Sequence, residues 1–447
     1  SVSCENWRKI TSELLSKEER EILIHGKKFM KNFSEISSLI DDKDKKTRDS
    51  AAKFFNELLE KHSDIAEIEI NSILEDKKIN DKLKSFERAD SERHLSDDVE
   101  SETVDVLVKV VSENFDVARR YYELKAKLLG FEKLQYHERN LSYGELNKKY
   151  SAEESVKIVK KVLHKLEERF SEIFSNFIEN GRVDFFPKKG KRAGAFCVWH
   201  SPSKPVYVML NHTDKLKDVL TIAHEFGHAI NAELSKKQNA LEFDTPTSTT
   251  EVASTFMEDF VLQELLEEAD EEKKLSLMMQ KLNDDVSTIF RQVALYRFEQ
   301  ELHSAFRKEG YLSKEKIGKI FQKNMSAYMG NYVEQSLGSE NWWIHIGHIR
   351  RYFYVYSYAF GLLISKNLQK KVRDNPNSIK EIKEFLSAGS SDSPENIFKK
   401  LGIDISKKEF WQEGLAEVEN LLETAEKLAR KLKRILKIRL LKNEKGI

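Results

Sequence analysis

The sequence has few of the residues that interrupt helices. Its 447 residues include only 6 Pro and 17 Gly, the two residue types that mark turns and end helices. This scarcity, together with long stretches rich in Lys, Glu, Leu and Ala, indicates a mainly α-helical protein. It also argues against long disordered linkers, which are rich in proline and polar residues.

Cysteine is equally scarce, because Cys4 and Cys197 are the only two. Two cysteines cannot build the disulfide framework of a small secreted domain, so we expect a reducing, cytoplasmic location. The sequence has no apolar run of about 18 residues, the length that a transmembrane helix needs. No signal peptide is recognisable at the start, although the chain opens with Ser1 rather than Met.

Net charge is also absent, since 75 Lys and Arg balance 75 Asp and Glu. We therefore expect neither nucleic acid nor an anionic membrane as a partner. The stretch 427–445 is a local exception, because nine Lys or Arg alternate there with Leu and Ile. This pattern fits an amphipathic helix docked on the protein itself, which we favour, or a segment that contacts RNA or a membrane.

The spacing of apolar residues divides the chain into helices and one short β region. We expect helices in series over residues 1–130, with one helix at 102–130, and a further helix at 152–180. Only 182–212, where β-branched and aromatic runs are separated by Gly and Pro, is typical of short strands. We therefore expect an N-terminal helical region, 1–130, and a second region, 131–447, that contains a small β-sheet.

Residues 224–228 have the sequence HEFGH, which matches the HExxH pattern. Residues four apart on an α-helix lie on one face about one turn apart, so His224 and His228 can bind one metal ion together. Glu225 projects beside that face and can reach a water molecule on the metal. The flanking residues are apolar, which is typical of a buried helix and argues against a chance match. The pattern predicts a zinc site.

A third ligand is expected nearby, because a catalytic zinc ion takes three protein ligands and keeps one position for water. Glu251 and Glu258 lie seven residues apart and share one face of a helix. Ser248 and Glu251 have the spacing of a capping box, which predicts that a helix begins there. One glutamate could bind the metal while the other orients a ligand histidine. Spacing does not say which, and both could instead be solvated surface acids.

Several segments of the chain resemble the oligoendopeptidase F branch of the thimet oligopeptidase family of zinc metallopeptidases. The strongest likeness lies in TIAHEFGHA at 221–229 and EVASTFME at 251–258. Further similar segments, in the same order as in the family, are YYELKAKLLG at 121–130, GKRAGAF at 190–196, FYVYSY at 353–358 and FLSAGSS at 385–391. The resemblance therefore extends over most of the chain.

This resemblance implies a two-lobed helical fold with a deep substrate channel and one zinc ion per chain at its floor. It implies endopeptidase activity on oligopeptides, with folded proteins excluded by the channel. It assigns Glu251 as the third zinc ligand beside His224 and His228, and leaves Glu258 to orient a ligand. Region 131–447 would then be the catalytic region.

The family also uses His and Tyr side chains to stabilise the tetrahedral intermediate, and the matching segment here is 342–356. His348 and Tyr356 fit best by motif position, and a continuous helix would place them near one face. The alternative is that the aromatic residues fill the core and that His345 or His348 is a satisfied core histidine. Two differences from the family stand out: Gly347 replaces a usual proline, and family members carry a longer N-terminal region.

Together these observations predict a zinc endopeptidase in which Glu225 is the general base and His348 and Tyr356 donate hydrogen bonds to the oxyanion. Two alternatives stay open. A zinc carboxypeptidase would need a group that captures the C-terminal carboxylate of its substrate, for which Arg350 and Arg351 are candidates. A non-catalytic helical interaction protein with a zinc ion is the other, although structural zinc sites are usually closed by four protein ligands.

Overall fold

The computed structural model describes residues 2–144, 148–192 and 194–433. The protein is about 69% helical, which confirms the mainly α fold class that the low proline and glycine content predicts. Helices run over Val2–Trp7, Ile10–Ser16, Phe33–Leu39, Lys45–Lys61, Ser63–Leu83, Ser91–Ser96, Ser101–Glu113, Phe115–Leu129, Ala152–Leu166, Glu168–Glu179, Leu216–Ser235, Thr247–Glu268, Glu271–Asp285, Arg291–Glu309, Lys314–Met329, Tyr356–Asp374, Ile379–Phe385, Pro394–Lys400 and Lys408–Lys431. A π-helical turn, Val286–Phe290, precedes Arg291–Glu309.

Short 3₁₀ helices and strands connect these helices. The 3₁₀ helices are Tyr136–Asn140, Gly330–Tyr332, Ser339–His345, Gly347–Arg351 and Pro376–Ser378, and the strands are Glu19–Ile24, Lys27–Asn32, Leu134–Gln135, Val183–Asp184, Phe196–Val198, Tyr207–Met209 and Val333–Glu334. Among the described residues the strands form three small sheets. The sheet predicted within 182–212 is confirmed: Tyr207–Met209 lies between Val183–Asp184, to which it is parallel, and Phe196–Val198, to which it is antiparallel.

Residues 1–130 are expected to form helices in series, but they also contain a β-hairpin near the N-terminus. Strands Glu19–Ile24 and Lys27–Asn32 pair antiparallel, with Ile24 opposite Lys27. The two residues between them, His25 and Gly26, have φ of 46° and 82°, as a two-residue type I′ turn requires. Histidine tolerates this left-handed conformation better than most residues, but it is a weaker sequence signal for such a turn than Asn or Asp.

Two predicted helices are each broken once. The helix expected at 102–130 bends at Asn114, where φ is −109° and ψ is 25°. The helix expected at 152–180 breaks at the extended residue Glu167. In both cases the apolar pattern continues across the break because both halves bury their apolar faces, so periodicity alone could not reveal the change of direction.

Three helices build the centre of the protein around the HExxH pattern. Leu216–Ser235, the HExxH helix, packs against Thr247–Glu268, the Glu251 helix, and this helix in turn packs against Tyr356–Asp374, the Tyr358 helix. Most side chains on the HExxH helix are buried, as its apolar flanks predict. The Glu251 helix is therefore held between two neighbours.

Glycine allows a close approach on both sides of the Glu251 helix. A Cβ added at Gly227 would lie 2.5 Å from the carbonyl oxygen of Ala253 and 2.5 Å from the Cα of Ser254. A Cβ at Gly361 on the Tyr358 helix would lie 3.3 Å from the Cβ of Glu251. Since the backbone of the Glu251 helix cannot retreat from both neighbours, these contacts determine where the Glu251 carboxylate lies relative to the two histidines.

The C-terminal helix Lys408–Lys431 packs its apolar face on the body of the protein and buries Leu422, Ala425 and Ala429. The first part of the basic stretch is thus docked, whereas residues 434–445 lie outside the described part of the chain. Within the described residues, we find no helix whose length and apolar character would let it cross a membrane.

Candidate metal centre and active site

His224, His228 and Glu251 bring three donor atoms together. The Nε2 atoms of the two histidines lie 3.5 Å and 3.6 Å from the same Oε2 of Glu251. Ligands about 2.0–2.1 Å from a tetrahedral zinc ion lie about 3.3 Å from one another, so these separations fit one shared ion. Two imidazole nitrogens and one carboxylate oxygen are also a donor set that catalytic zinc sites use. The residues therefore fit a metal ion.

Glu258 lies on the opposite side of the His224 ring. Its Oε2 is 3.1 Å from His224 Nδ1, so a proton on Nδ1 leaves Nε2 free to face Glu251. Burial raises the pKa of Glu258, but the hydrogen bond with His224 and the nearby charge of Lys281 outweigh this and lower it below its usual value. An ionised carboxylate at this position orients the imidazole and makes it a better ligand. The geometry therefore favours Glu251 as ligand and Glu258 as its support.

The cation beside Glu258 belongs to a buried network of charges. Lys281 Nζ lies 3.1 Å from one carboxylate oxygen of Asp285, and Lys366 Nζ lies 2.8 Å from the other. All three side chains are nearly inaccessible to solvent. Because each buried charge has a partner, the network can hold Glu258 ionised without leaving a charge uncompensated.

Glu225 follows His224 on the HExxH helix and lines the same cavity as His224 and Glu251. Burial raises the pKa of its carboxyl group above the usual value, which brings it nearer to the neutral range where a general base works best.

Cys197, a neighbour of Glu225, is a free thiol. Burial and the charges of Glu225 and Glu233 raise the pKa of that thiol well above its usual value, which disfavours the thiolate that a nucleophile or a metal ligand needs.

A cavity of about 680 Å³ opens over His224, Glu225 and Glu251. Its lining includes Gly194 and Ala195 beside the small sheet, and Asp284 and Thr288. A cavity of this size is large enough for a small ligand or a short peptide segment. The edge of strand Phe196–Val198 that does not face Tyr207–Met209 carries no further strand among the described residues.

The tyrosine at the cavity is Tyr358, not the predicted Tyr356. The Tyr356 side chain is 0% exposed, and its hydroxyl donates a hydrogen bond of 2.8 Å to Asp97 Oδ2. Tyr358 lines the cavity, and its hydroxyl lies 3.1 Å from His348 Nε2. Residues two apart on a helix point to nearly opposite sides, so only one of them can face the metal.

His348 stands beside the cavity and reaches it through Tyr358. Its half-buried ring stacks on Tyr354, with centroids 5.7 Å apart and an angle of 5° between the planes. Burial lowers the pKa of His348, which favours the neutral ring. His345 instead packs against Phe55 and Trp342, as the core-histidine alternative expected.

Comparison with known proteins identifies the family of the chain. The sequence model described as Peptidase family M3 matches residues 38–417, well over half of the chain. The chain belongs to peptidase family M3. Membership of this metallopeptidase family implies a bound metal ion, for which His224, His228 and Glu251 are the candidate ligands.

Relatives within family M3 confirm the likeness to oligoendopeptidase F. An oligoendopeptidase F homolog of Borreliella burgdorferi is 28% identical over 388 residues, which cover 84% of this chain and 64% of that protein. Oligopeptidase PepF of Bacillus subtilis is 27% identical over 361 residues, which cover 79% of this chain and 53% of that protein. The chain thus spans less than two thirds of either relative.

Solved structures show the same family M3 fold. The oligoendopeptidase-F of Enterococcus faecium superposes with a TM-score of 0.77 at 20% identity, over 96% of this chain and 73% of that one. A candidate peptidase from Chlamydophila abortus superposes with a TM-score of 0.87 at 24% identity, over the same shares of the two chains.

Two sequence-based expectations about this site are wrong, one about the helix that joins His348 to Tyr356 and one about the cap of the Glu251 helix. The 3₁₀ helix Gly347–Arg351 is separated from the Tyr358 helix by a left-handed turn, so the continuous helix expected to align His348 with Tyr356 does not exist. The Glu251 helix begins at Thr247 without a side-chain cap. Ser248 does not act as its capping residue, because its hydroxyl donates a hydrogen bond of 3.4 Å to the carbonyl oxygen of Asp97.

Proposed function

We propose that the chain is a zinc-dependent endopeptidase that hydrolyses internal peptide bonds of short oligopeptides. The observation that carries the proposal is the convergence of His224, His228 and Glu251, with His224, Glu251 and the buried Glu225 lining one cavity. Membership of family M3 and the names of the oligoendopeptidase relatives support it. This chain spans less than two thirds of the length of those relatives, so we propose their endopeptidase activity for it on the strength of the site described above.

The side chains around the cavity suit hydrolysis by an activated water molecule. Zinc, when bound, polarises the scissile carbonyl group and makes water more acidic. Glu225 accepts the proton of the attacking water and later passes it to the leaving amine. The Tyr358 hydroxyl donates a hydrogen bond to the developing oxyanion, with His348 as its partner; such a donor contributes about 3 kcal/mol. Glu258 holds the His224 ring in one tautomer.

The carboxypeptidase alternative loses its two candidate residues. Arg350 is buried, donates a hydrogen bond of 2.9 Å to Glu69 and does not line the metal cavity, so it does not face a substrate carboxylate there. Arg351 lines a different cavity, together with Arg8 and Tyr352. The purely structural zinc site is less consistent with the three-donor arrangement, because a structural site usually has four protein ligands.

We further propose that region 131–447 is catalytic and that region 1–130 supports it. The residues that line the metal cavity all lie between Gly194 and Leu362. The N-terminal region contributes Asp97 and Glu69 as partners of buried side chains instead. We also propose a cytoplasmic location, on the ground of the low cysteine content.

The proposal can be tested with a mixed library of oligopeptides whose products are identified by mass. We expect internal cleavages that disappear with a chelator and return when zinc is added. Glu225→Gln should abolish cleavage but keep one zinc ion per chain, because Glu225 is not a ligand. Glu233→Gln on the same helix is the matched control, since Glu233 pairs with Arg182 at 3.0 Å and does not line the cavity.

Each outcome decides between the alternatives. Removal of only the last residue of each peptide, and none from amidated peptides, would establish a carboxypeptidase instead. Full activity in Glu225→Gln would overturn the mechanism. A wild-type protein that binds zinc and cleaves no member of the library would favour the non-catalytic alternative.

A further inference from the structure

The backbone between His348 and Tyr358 contains a strained turn. Tyr352 and Phe353 are consecutive and have φ of 49° and 55°. Non-glycine residues rarely adopt this left-handed conformation, and bulky side chains pay a steric cost for it. The turn joins the 3₁₀ helix Gly347–Arg351 to the Tyr358 helix. Strain of this kind persists only where surrounding contacts hold it.

A backbone contact with the turn comes from Glu299 on the helix Arg291–Glu309, in addition to the hydrogen bond of 2.7 Å that the Tyr352 hydroxyl donates to the carbonyl oxygen of Ile73. The Phe353 N–H donates a hydrogen bond of 2.7 Å to Glu299 Oε2. Glu299 is completely buried, and its second oxygen, Oε1, has no hydrogen-bond partner among the described residues. Burial raises the pKa of Glu299 to about 8, against the opposing effects of the Phe353 N–H and the charge of Arg93.

Packing alone does not explain a glutamate at this position. A buried carboxyl group with an unsatisfied oxygen is costly, and an apolar side chain of similar volume would fill the space at lower cost. The aromatic rings of Tyr296 and Phe353 pack together beside it, with centroids 5.4 Å apart. The one polar contact that the Glu299 carboxyl makes among the described residues is with the amide of the strained turn.

The turn sets the relative position of Tyr358, which lines the cavity, and of two rings that pack against it. His348 lies before it, and Tyr354 and Tyr358 lie after it. Tyr354 stacks on His348 and meets Tyr358 edge to face, with centroids 5.4 Å apart, and Tyr358 completes the cluster through its hydrogen bond with His348. A different backbone path at residues 352 and 353 would change the direction in which the Tyr358 helix starts, and would separate this cluster.

We infer that Glu299 is a positioning residue that holds the left-handed turn at Tyr352 and Phe353, and through it keeps the Tyr358 hydroxyl and the His348 ring together at the cavity. The inference rests on the proposed function as far as turnover is concerned. Its structural part, the dependence of the turn on the Glu299 carboxyl, stands without it.

The structural part is tested first, by amide hydrogen exchange at Phe353. Glu299→Met removes the acceptor and keeps a similar volume, so we expect protection of the Phe353 amide to fall by about tenfold or more. Glu299→Gln keeps an oxygen that can accept the same hydrogen bond, and should retain protection. Glu301→Met is the matched control, because Glu301 lies on the same helix and pairs with Lys323 at 2.8 Å. If Glu299→Met does not fold, Glu299→Asp takes its place in the experiment, because the shorter side chain moves the carboxyl group away from the Phe353 amide.

The second arm measures turnover with a peptide that the wild-type protein cleaves. We expect Glu299→Met to lower kcat by about tenfold or more, with KM and zinc content unchanged, and Glu299→Gln to restore it. If Glu299 acts through Tyr358, then Glu299→Met should add little to the loss caused by Tyr358→Phe. Fully multiplicative losses, or unchanged exchange at Phe353 in Glu299→Met, would overturn the inference. A wild-type protein without activity would count against the proposed function alone, since the exchange experiment needs no substrate.

Discussion

The two halves of the candidate site obtain their geometry in different ways. His224 and His228 lie on one regular helix, so their spacing along the chain determines their spacing in the structure. His348 and Tyr358 lie on two elements joined by a strained turn, and contacts from a distant helix determine how they meet. The metal half is therefore local and readable from the sequence, whereas the hydrogen-bonding half depends on tertiary structure.

A second comparison shows what distinguishes a metal site from a similar cluster of side chains. Asp49, His137 and Glu138 also bring three donor atoms within 4.8 Å. There, however, Arg48 donates hydrogen bonds of 3.0 Å and 2.8 Å to Glu138 Oε1, and Lys45 pairs with Asp49 at 2.7 Å. Positive charges already satisfy these acids, and a cation would have to displace them. At Glu251 the neighbouring groups are instead the two imidazoles, 3.5 Å and 3.6 Å away, and the Ser254 hydroxyl, which donates a hydrogen bond of 2.9 Å.

The largest effect is expected when Glu251 and Glu258 are each replaced by alanine. Glu251→Ala should reduce zinc content to near zero and abolish cleavage, because it removes the proposed third ligand. Glu258→Ala should keep the site but weaken zinc binding by about 10–100-fold, because it removes only the partner of His224. Metal content after dialysis against a graded chelator separates the two variants. Equal loss in both would show that Glu258 is itself a ligand.

The next effect concerns the two tyrosines. Tyr358→Phe should lower kcat by about 10²–10³-fold, because it removes a donor to the oxyanion. Tyr356→Phe should leave kcat almost unchanged and reduce the free energy of unfolding by about 1–3 kcal/mol, because the buried Asp97 carboxylate loses its 2.8 Å hydrogen bond. Steady-state kinetics and urea unfolding of both variants check this. The reverse result would restore Tyr356 as the oxyanion donor.

A smaller effect is expected where the two central helices touch. Gly227→Ala should destabilise the protein by about 1–3 kcal/mol and weaken zinc binding, because the added methyl group meets the backbone of Ala253 and Ser254 at 2.5 Å. Gly402→Ala serves as a control for the glycine change in open space, although its φ of 73° adds backbone strain of its own. Thermal unfolding with and without zinc measures both the loss of stability and the loss of zinc affinity. An unchanged zinc affinity would mean that the helix spacing does not determine the position of Glu251.

The smallest effect is expected at the second cluster. His137→Ala should leave the zinc content of the protein unchanged, because Arg48 and Lys45 already neutralise the neighbouring acids. Equilibrium dialysis with one and two equivalents of zinc gives the number of sites. A second zinc ion that is lost in His137→Ala would remove the distinction drawn between the two clusters.

Local features of the chain account for what could be predicted. The scarcity of Pro and Gly gives the helical class, and HExxH gives two donor residues and the adjacent base because helical spacing is fixed. Gly130 ends a helix in the left-handed conformation, with φ of 79°, as a glycine after an apolar repeat suggests. The three-stranded sheet follows from β-branched runs separated by Gly and Pro.

The sequence by itself thus determined the helical class, the position of the HExxH helix and the identity of Glu225, because each depends on residues within one or two turns of one another. Tertiary structure decided which glutamate faces the donors, since that depends on how closely the Glu251 helix packs at Gly227 and Gly361. It also decided between Tyr356 and Tyr358, because the start of their helix follows a turn held by Glu299, about fifty residues away along the chain. Contacts over such distances leave no periodic signal in the sequence.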